Sequence, residues 1–169
     1  MQAAAPPELA VFCDREYRRL VGALGLYCGD RDLAEDLAQE ALVRVCQHWP
    51  QVKEMASPGA WAHRVAINLA NSHYRRRALH RRVTPLITER GDHHDADVAA
   101  GVDVRRALLA LRPRYRTAVV LRYYLGHSTR ETAGLMGVPE GTVKSLLHRA
   151  VGQLRDALGD RVLEEVTDA

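Results

Sequence analysis

The stretch from Ser128 to Arg149 reads STRETAGLMGVPEGTVKSLLHR, and its reading decides the fold. Ser128-Thr129-Arg130-Glu131 has the form of a capping box, in which the serine oxygen accepts a backbone N–H at a helix start and the glutamate reaches back to the cap. Ala133 stands four residues before Gly137, Val138 follows, and Val143 comes six residues after the glycine. A small residue where two helices cross, a glycine for the tight turn and a buried branched residue in the second helix are what a helix-turn-helix needs. An ordinary helical hairpin meets the same spacing, so the outward face has to decide. On the second helix Val143, Leu147, Ala150 and Leu154 define one side, with Leu146 beside them, while Lys144, Ser145, His148 and Arg149 project from the other. Such donors suit phosphates and purine edges, near the helix end that enters a major groove. Taken alone, the same residues are also what a solvated charged face looks like.

Working outward, the apolar spacing predicts helices over 104–111, 115–125, 129–136 and 140–158, punctuated by Pro113, Gly126 and Gly137. In the N-terminal half, Leu9, Phe12, Cys13, Leu20, Ala23, Leu24 and Tyr27 mark an amphipathic helix over 8–27, broken by Gly29 and Asp30. A second helix from Arg31 to about Trp49 carries Leu33, Leu37, Ala41, Val45 and Trp49 every fourth position, widened by Ala34, Ala38 and Leu42, and Pro50 ends it. After a short loop, Ser57 and Pro58 read as cap and first residue of a third helix. Its core stripe is Trp61, Ala62, Val65, Ala66 and Leu69, and it runs to about Leu79. Between 83 and 103 the periodicity lapses into a polar, acidic stretch that reads as a flexible linker of roughly 20 residues. The expected fold is all-α: two small helical domains, 8–82 and 104–160, on a tether, the second a helix-turn-helix.

Composition agrees with that class and excludes others. A chain of 169 residues with 47% apolar and 27% charged residues is neither disordered nor a large enzyme, and its nine aromatics favour helices over strands. No apolar run approaches the roughly 18 residues needed to cross a bilayer. The net charge of +3 is too small to prove a nucleic-acid partner, so the distribution matters more. Cys13, Cys28 and Cys46 sit at no metal-ligand spacing, and without a signal-peptide pattern they point to a reduced, cytoplasmic protein in which they serve as small core residues.

Two faces in the first half carry chemistry. On the third helix Arg64, Asn68, Asn71 and Arg75 form a stripe beside the apolar one, and it runs into Arg75, Arg76, Arg77, His80, Arg81 and Arg82, with Tyr74 available to stack on a base. Arginine at this density is an electrostatic footprint for a phosphate backbone. On the second helix Asp36, Gln39, Glu40, Val43 and Gln47 lie opposite the core, an acidic and amide face with one uncovered apolar residue. It cannot bind phosphate; a docking surface for a protein and a plain solvated face both fit it.

These residues resemble a known family, the bacterial RNA polymerase sigma factors of the extracytoplasmic-function (ECF) type. Asp36-Leu37-Ala38-Gln39-Glu40-Ala41-Leu42 is similar to the family's D-L-x-Q-E-x-F segment, with Leu42 in place of the common Phe. Trp61 through Asn68 is similar to its W-x-x-R-I-A-x-N helix, followed by the Arg run. Val138-Pro139-Glu140-Gly141-Thr142-Val143-Lys144-Ser145 resembles its V-P-x-G-T-V-K/R-S-R recognition helix, departing at Leu146, where many relatives have Arg. The resemblance implies that the Asp36, Gln39, Glu40, Val43 and Gln47 face binds the clamp helices of the largest subunit of core RNA polymerase. It implies that Arg64, Asn68, Asn71, Tyr74, Arg75, Arg76 and Arg77 meet the -10 element, Asn68 at its flipped base, with the loop from Gln51 to Ala56 as specificity loop. Thr142, Lys144, Ser145, His148 and Arg149 would then read the -35 element of promoter DNA. It further implies a non-enzymatic protein with no cofactor, a monomer when free, in a family where sequestering anti-sigma factors are common.

Two other classes remain at this point. A dimeric repressor or activator would carry the same C-terminal motif but needs a dimer face in its first half. An enzyme would need a metal site, for which His93, His94, Asp95 and Asp97 are the available side chains.

Overall fold

Pro7 opens the first helix, α1 (Pro7–Cys28), at a position where its missing N–H is no loss, and Glu8 in the first turn suits the positive end of the helix dipole. The helix closes on Gly29, whose φ of 72° belongs to the left-handed region and whose N–H donates to the Gly25 carbonyl. Asp30 then caps α2 (Arg31–Gln47) by accepting the Leu33 N–H at 3.0 Å. Two linking residues make α1 and α2 an antiparallel hairpin. In this computed structural model the described residues are 6–83 and 99–159, with side chains described for 6–80 and 103–159.

Helix α2 stops at Gln47, two residues short of its expected end, because Pro50 lacks the N–H that would bond one turn back and its ring crowds that carbonyl. The chain restarts as a single turn, α3 (Trp49–Val52), which brings part of the expected 51–56 loop into a helix. That turn buries Trp49 and Val52 in a cluster with Leu9, Phe12, Val45 and Ala62, the Phe12 and Trp49 rings lying 5.3 Å apart. Ser57 accepts the Ala60 N–H at 3.3 Å before α4 (Pro58–Val83), which runs four residues past the expected end near Leu79. Its buried arc is also broader than the stripe read from sequence. His63, Ile67 and Ala70 join Ala62, Ala66 and Leu69 inside, while Trp61 and Val65 stay half-buried, since α4 packs against α1 and α2 at once.

A buried hydrogen-bonded pair ties α4 to α1. The His63 ring donates from Nε2 to Glu16 Oε2 at 3.0 Å, Arg15 Nε donates to Glu16 Oε1 at 3.0 Å, and Arg19 lies 3.6 Å away. Gly59 fits here because a Cβ on it would meet Glu16 Oε1 at 3.3 Å.

The chain divides into two compact units, Met1–Gly91 and Asp92–Ala169. In the second unit α5 spans Ala99–Ala110, so the expected tether over 83–103 gives way to helix before its end, and 84–98 lie outside the described residues. Buried Arg116 finishes α5: its guanidinium donates to the carbonyls of Leu108 at 3.0 Å, Leu109 at 2.6 Å and Leu111 at 3.0 Å, at the end of the helix where carbonyls lack their full set of intrahelical partners. Arg116 belongs to α6 (Pro113–Val119), which widens over Val120–Tyr124 into a turn whose closing N–H, from Leu125, reaches the Val120 carbonyl five residues back.

Helix α7 (Thr129–Met136) begins in the expected capping box: Ser128 Oγ accepts the Glu131 N–H at 3.1 Å and the Ser128 N–H donates to Glu131 Oε2 at 2.7 Å. That second bond, foremost, holds the Glu131 carboxyl below the usual carboxylate range. Gly137, at φ 65°, turns the chain, and the Val138 N–H reaches back to the Ala133 carbonyl at 3.1 Å. Helix α8 (Glu140–Leu158) then buries Val143, Leu147, Ala150 and Leu154 against α5, α6 and α7. Among the described residues all regular structure is helical, as the sequence pattern led us to expect.

The Glu16 pair gives this fold a pH signature. Burial pushes its carboxyl up, but the hydrogen bonds from His63 and Arg15, with the charges of His63 and Arg19, outweigh burial and hold it below its ordinary range. A depressed carboxylate adds stability above its unfolded pKa, about 4.3, and that stability is lost as pH falls through the lower folded value. Glu16→Gln is expected to cost about 2 kcal/mol at pH 7. The difference from the parent chain should narrow below about pH 4, as urea unfolding at the two pH values would measure.

Candidate nucleic-acid and protein interfaces

The outer side of α2 is built by helical spacing alone. Asp36, Glu40, Val43 and Gln47 fall on one stripe with Gln39 beside it, all exposed, because Ala34, Leu37, Ala38, Ala41 and Val45 take the inward positions. Glu40 accepts from Arg44 Nη2 at 2.7 Å, an exposed pair worth little on its own. Val43 is 52% exposed, an uncovered aliphatic surface amid acidic and amide groups. The five residues read as one face are thus brought together on one face.

The stripe on α4 is divided. Arg64, Asn68, Arg75 and Arg76 are exposed, Arg75 donating to Ser72 Oγ at 3.2 Å, and Arg77 is half-buried. Asn71 and Tyr74, expected to face outward, have interior partners instead. The buried Tyr27 hydroxyl donates to Asn71 Oδ1 at 2.7 Å, and the Tyr74 hydroxyl donates to the Cys28 carbonyl at 3.0 Å, its ring centroid 6.3 Å from that of Tyr27. A buried phenol needs an acceptor, and the C-terminal end of α1 leaves carbonyls to satisfy; these two residues of α4 meet both demands. Arg81 and Arg82 lie outside the described side chains, as do His93, His94, Asp95 and Asp97 of the metal-site alternative. Among the described residues no group of three or more His, Cys, Asp or Glu could hold a metal ion.

On α8 the outward set is placed as the sequence reading has it. Lys144, Ser145, His148 and Arg149 are exposed and Thr142 is half-buried at the first turn. Ser145 Oγ donates to the Gly141 carbonyl at 3.0 Å and Lys144 Nζ lies 3.3 Å from Glu140 Oε1, so two of the donors are held to the first turn of their own helix.

Two features escaped the sequence reading. Glu16 falls on the apolar stripe of α1 between Phe12 and Leu20, and a charged residue in that register was the available signal for a buried pair. Tyr123 and Tyr124 were expected inside a regular helix, but the wide turn rotates them, and both are exposed, with Arg122 lying 5.7 Å above the Tyr123 ring.

The chain is similar to known proteins over most of its length. Residues 12–80 match the Sigma-70 region 2 model, and 102–154 match the Sigma-70 region 4 model. The chain is 38% identical over 135 residues to the RNA polymerase sigma-E factor of Streptomyces coelicolor, covering 78% of this chain and 75% of that one. This chain belongs to the ECF family of RNA polymerase sigma factors. Against the ECF sigma factor SigL of Mycobacterium tuberculosis it is 37% identical over 134 residues, with 75% of both chains covered. A solved structure of the sigma factor RpoE in complex with the anti-sigma factor NepR, from Bartonella quintana, aligns with a TM-score of 0.75 at 26% identity, covering 91% of this chain and 96% of that one. As an ECF sigma factor the protein acts with RNA polymerase in transcription initiation. No helix among the described residues is long and apolar enough to cross a membrane.

The division of α4 sets up a direct comparison. Asn71→Ala is expected to lower stability by about 1 kcal/mol, since it removes the acceptor of the Tyr27 hydroxyl bond. Asn68→Ala, at an exposed site, is expected to change it by less than about 0.5 kcal/mol. Chemical denaturation of the two variants measures the difference.

Proposed function

We propose that this sigma factor docks on core polymerase through the outer face of α2 and reads its promoter with α4 and α8. The observation that carries the reading is the division of labour within the first unit. An acidic and amide stripe with Val43 exposed lies on α2, while an Arg- and Asn-bearing stripe lies on α4. The α2 stripe repels phosphate and suits a basic, partly apolar protein surface, which supports Asp36, Gln39, Glu40, Val43 and Gln47 as the contact with the clamp helices of the largest subunit. Arg64, Arg75, Arg76 and Arg77 supply the charge that holds a DNA backbone, and Asn68, with donor and acceptor on one short side chain, suits an unpaired base of the -10 element. Asn71 and Tyr74 set the orientation of α4. On α8, Lys144, Ser145, His148 and Arg149, with Thr142 at the first turn, read the -35 element in the major groove.

Each unit alone offers few contacts. Polymerase, by holding both, makes the second promoter contact effectively intramolecular and supplies the affinity that neither unit has by itself. Residues 84–98 could span at most about 50 Å when fully extended, enough for more than one turn of duplex. Capture of an unstacked base by Asn68 then offsets part of an unpairing cost of a few kcal/mol. The protein contributes binding energy and position and no catalytic step of its own. It is monomeric when free and works in the cytoplasm with its polymerase. The Bartonella quintana complex supports a sequestering anti-sigma factor as a further partner.

The roles separate experimentally. Glu40→Lys should weaken assembly with core polymerase in a pull-down while binding of the isolated chain to DNA is kept or raised. Asn68→Ala should assemble normally and fail to open the promoter, as permanganate reactivity reports; a loss of assembly in that variant contradicts the assignment. Arg149→Ala should reduce discrimination against altered -35 sequences by about 1 to 3 kcal/mol if its contact is bidentate, measured by run-off transcription on a promoter library.

A further inference from the structure

The cysteines do not all behave as the small core residues that the sequence suggests. Cys28 is buried at the end of α1, Cys13 is half-buried against the Phe12, Val45 and Trp49 cluster, and Cys46 is exposed on the last turn of α2. Cys13 lies fifteen residues before the end of α1 and Cys46 fifteen residues after the start of α2. In an antiparallel hairpin with a two-residue link, both thiols therefore stand about 22 Å from the turn, level with each other. Cys13 packs against the cluster that holds Val45, the residue before Cys46, and Cys46 acts electrostatically on the Cys13 thiol across the two helices.

We propose that Cys13 and Cys46 are a redox-active dithiol that a peroxide converts into an intrachain disulfide between α1 and α2. The inference goes beyond polymerase and promoter binding and stands without either. Exposure and packing assign the roles. Burial, and then the neighbouring Cys46, push the Cys13 thiol up to about 11, so at neutral pH it keeps its proton and is slow toward an oxidant. Cys46 is the sulfur that hydrogen peroxide can reach. Its deprotonated sulfur attacks one peroxide oxygen and breaks the O–O bond, leaving a sulfenic acid on Cys46 and a hydroxide, which takes up the proton the Cys46 thiol had released and becomes one water. The Cys13 sulfur then attacks the Cys46 sulfur and the S–OH bond breaks. The departing hydroxide takes the Cys13 proton as a second water. Two electrons pass from the sulfurs to the peroxide, and an S–S bond of about 2.05 Å closes between helices already in contact. Cys28, a further fifteen residues along α1 from Cys13, is out of reach and serves as an internal reference.

The test is to expose the full-length chain to hydrogen peroxide, block remaining thiols by alkylation and map the peptides by mass spectrometry. The expected product is a Cys13–Cys46 cross-linked peptide, two hydrogens lighter than the reduced pair and restored by dithiothreitol, with Cys28 alkylated throughout. In Cys13→Ala, Cys46 should accumulate as a sulfenic acid trapped by a 1,3-dione. In Cys46→Ser, loss of the Cys13 thiol should slow at least tenfold. Cys46 driven to sulfinic acid in the parent chain while Cys13 stays open to alkylation, or an intermolecular Cys46–Cys46 dimer as the main product, would overturn the proposal.

Discussion

Which side chains α4 shows to its surroundings depends on the rotation of that helix about its own axis, and two polar clasps to α1 set it. Near its start His63 meets Glu16, and about two to three turns later Asn71 and Tyr74 meet Tyr27 and the end of α1. Apolar packing alone sets this angle loosely, because the buried arc of α4 is rich in alanine and small residues tolerate a turn of the helix. A hydrogen bond between buried groups tolerates far less, since a slip strands a donor or acceptor without water. With the angle fixed from both ends, Arg64, Asn68, Arg75 and Arg76 are outside together.

The second unit solves the same problem differently. Helix α8 has a strong apolar side and needs no polar clasp; its direction is set by the turn before it. Gly137 takes a left-handed conformation that other residues adopt only with strain, the Ser128 and Glu131 box fixes where α7 begins, and Val143 fills the crossing. Arg116 reinforces the other side of the unit by closing the end of α5 with three carbonyl bonds, so that α5 and α6 hold as one corner against α8.

Where structure follows from neighbours along the chain, it was legible in the sequence. The Gly29–Asp30 break, the capping box, the glycine turn and the apolar sides of α2 and α8 are local, and each stands as read. What was lost depended on contacts between distant segments. Asn71 and Tyr74 looked like outward residues until the end of α1, more than forty residues earlier, needed their polar atoms. Cys46 looked like a core residue, but Val45 and Trp49 take the buried positions beside it and leave it exposed. The single-turn helix at Trp49 follows from Pro50 together with a pocket that Leu9, Phe12, Val45 and Ala62 create from three helices. The surfaces on α2 and α8 were readable because an exposed stripe is the complement of a buried one; the surface on α4 was half readable because its buried arc exceeds what periodicity marks.

The pairing of Lys144 with Glu140 gives α8 a built-in counter-ion. A phosphate that recruits this lysine must displace a carboxylate already beside it, and the carboxylate stays close by to oppose any anion that is poorly placed. In the proposed -35 role, α8 would be less adhesive toward arbitrary DNA than its basic residues suggest. It would spend less time parked on wrong sequences, and its grip would strengthen most where the neighbouring contacts fall into register.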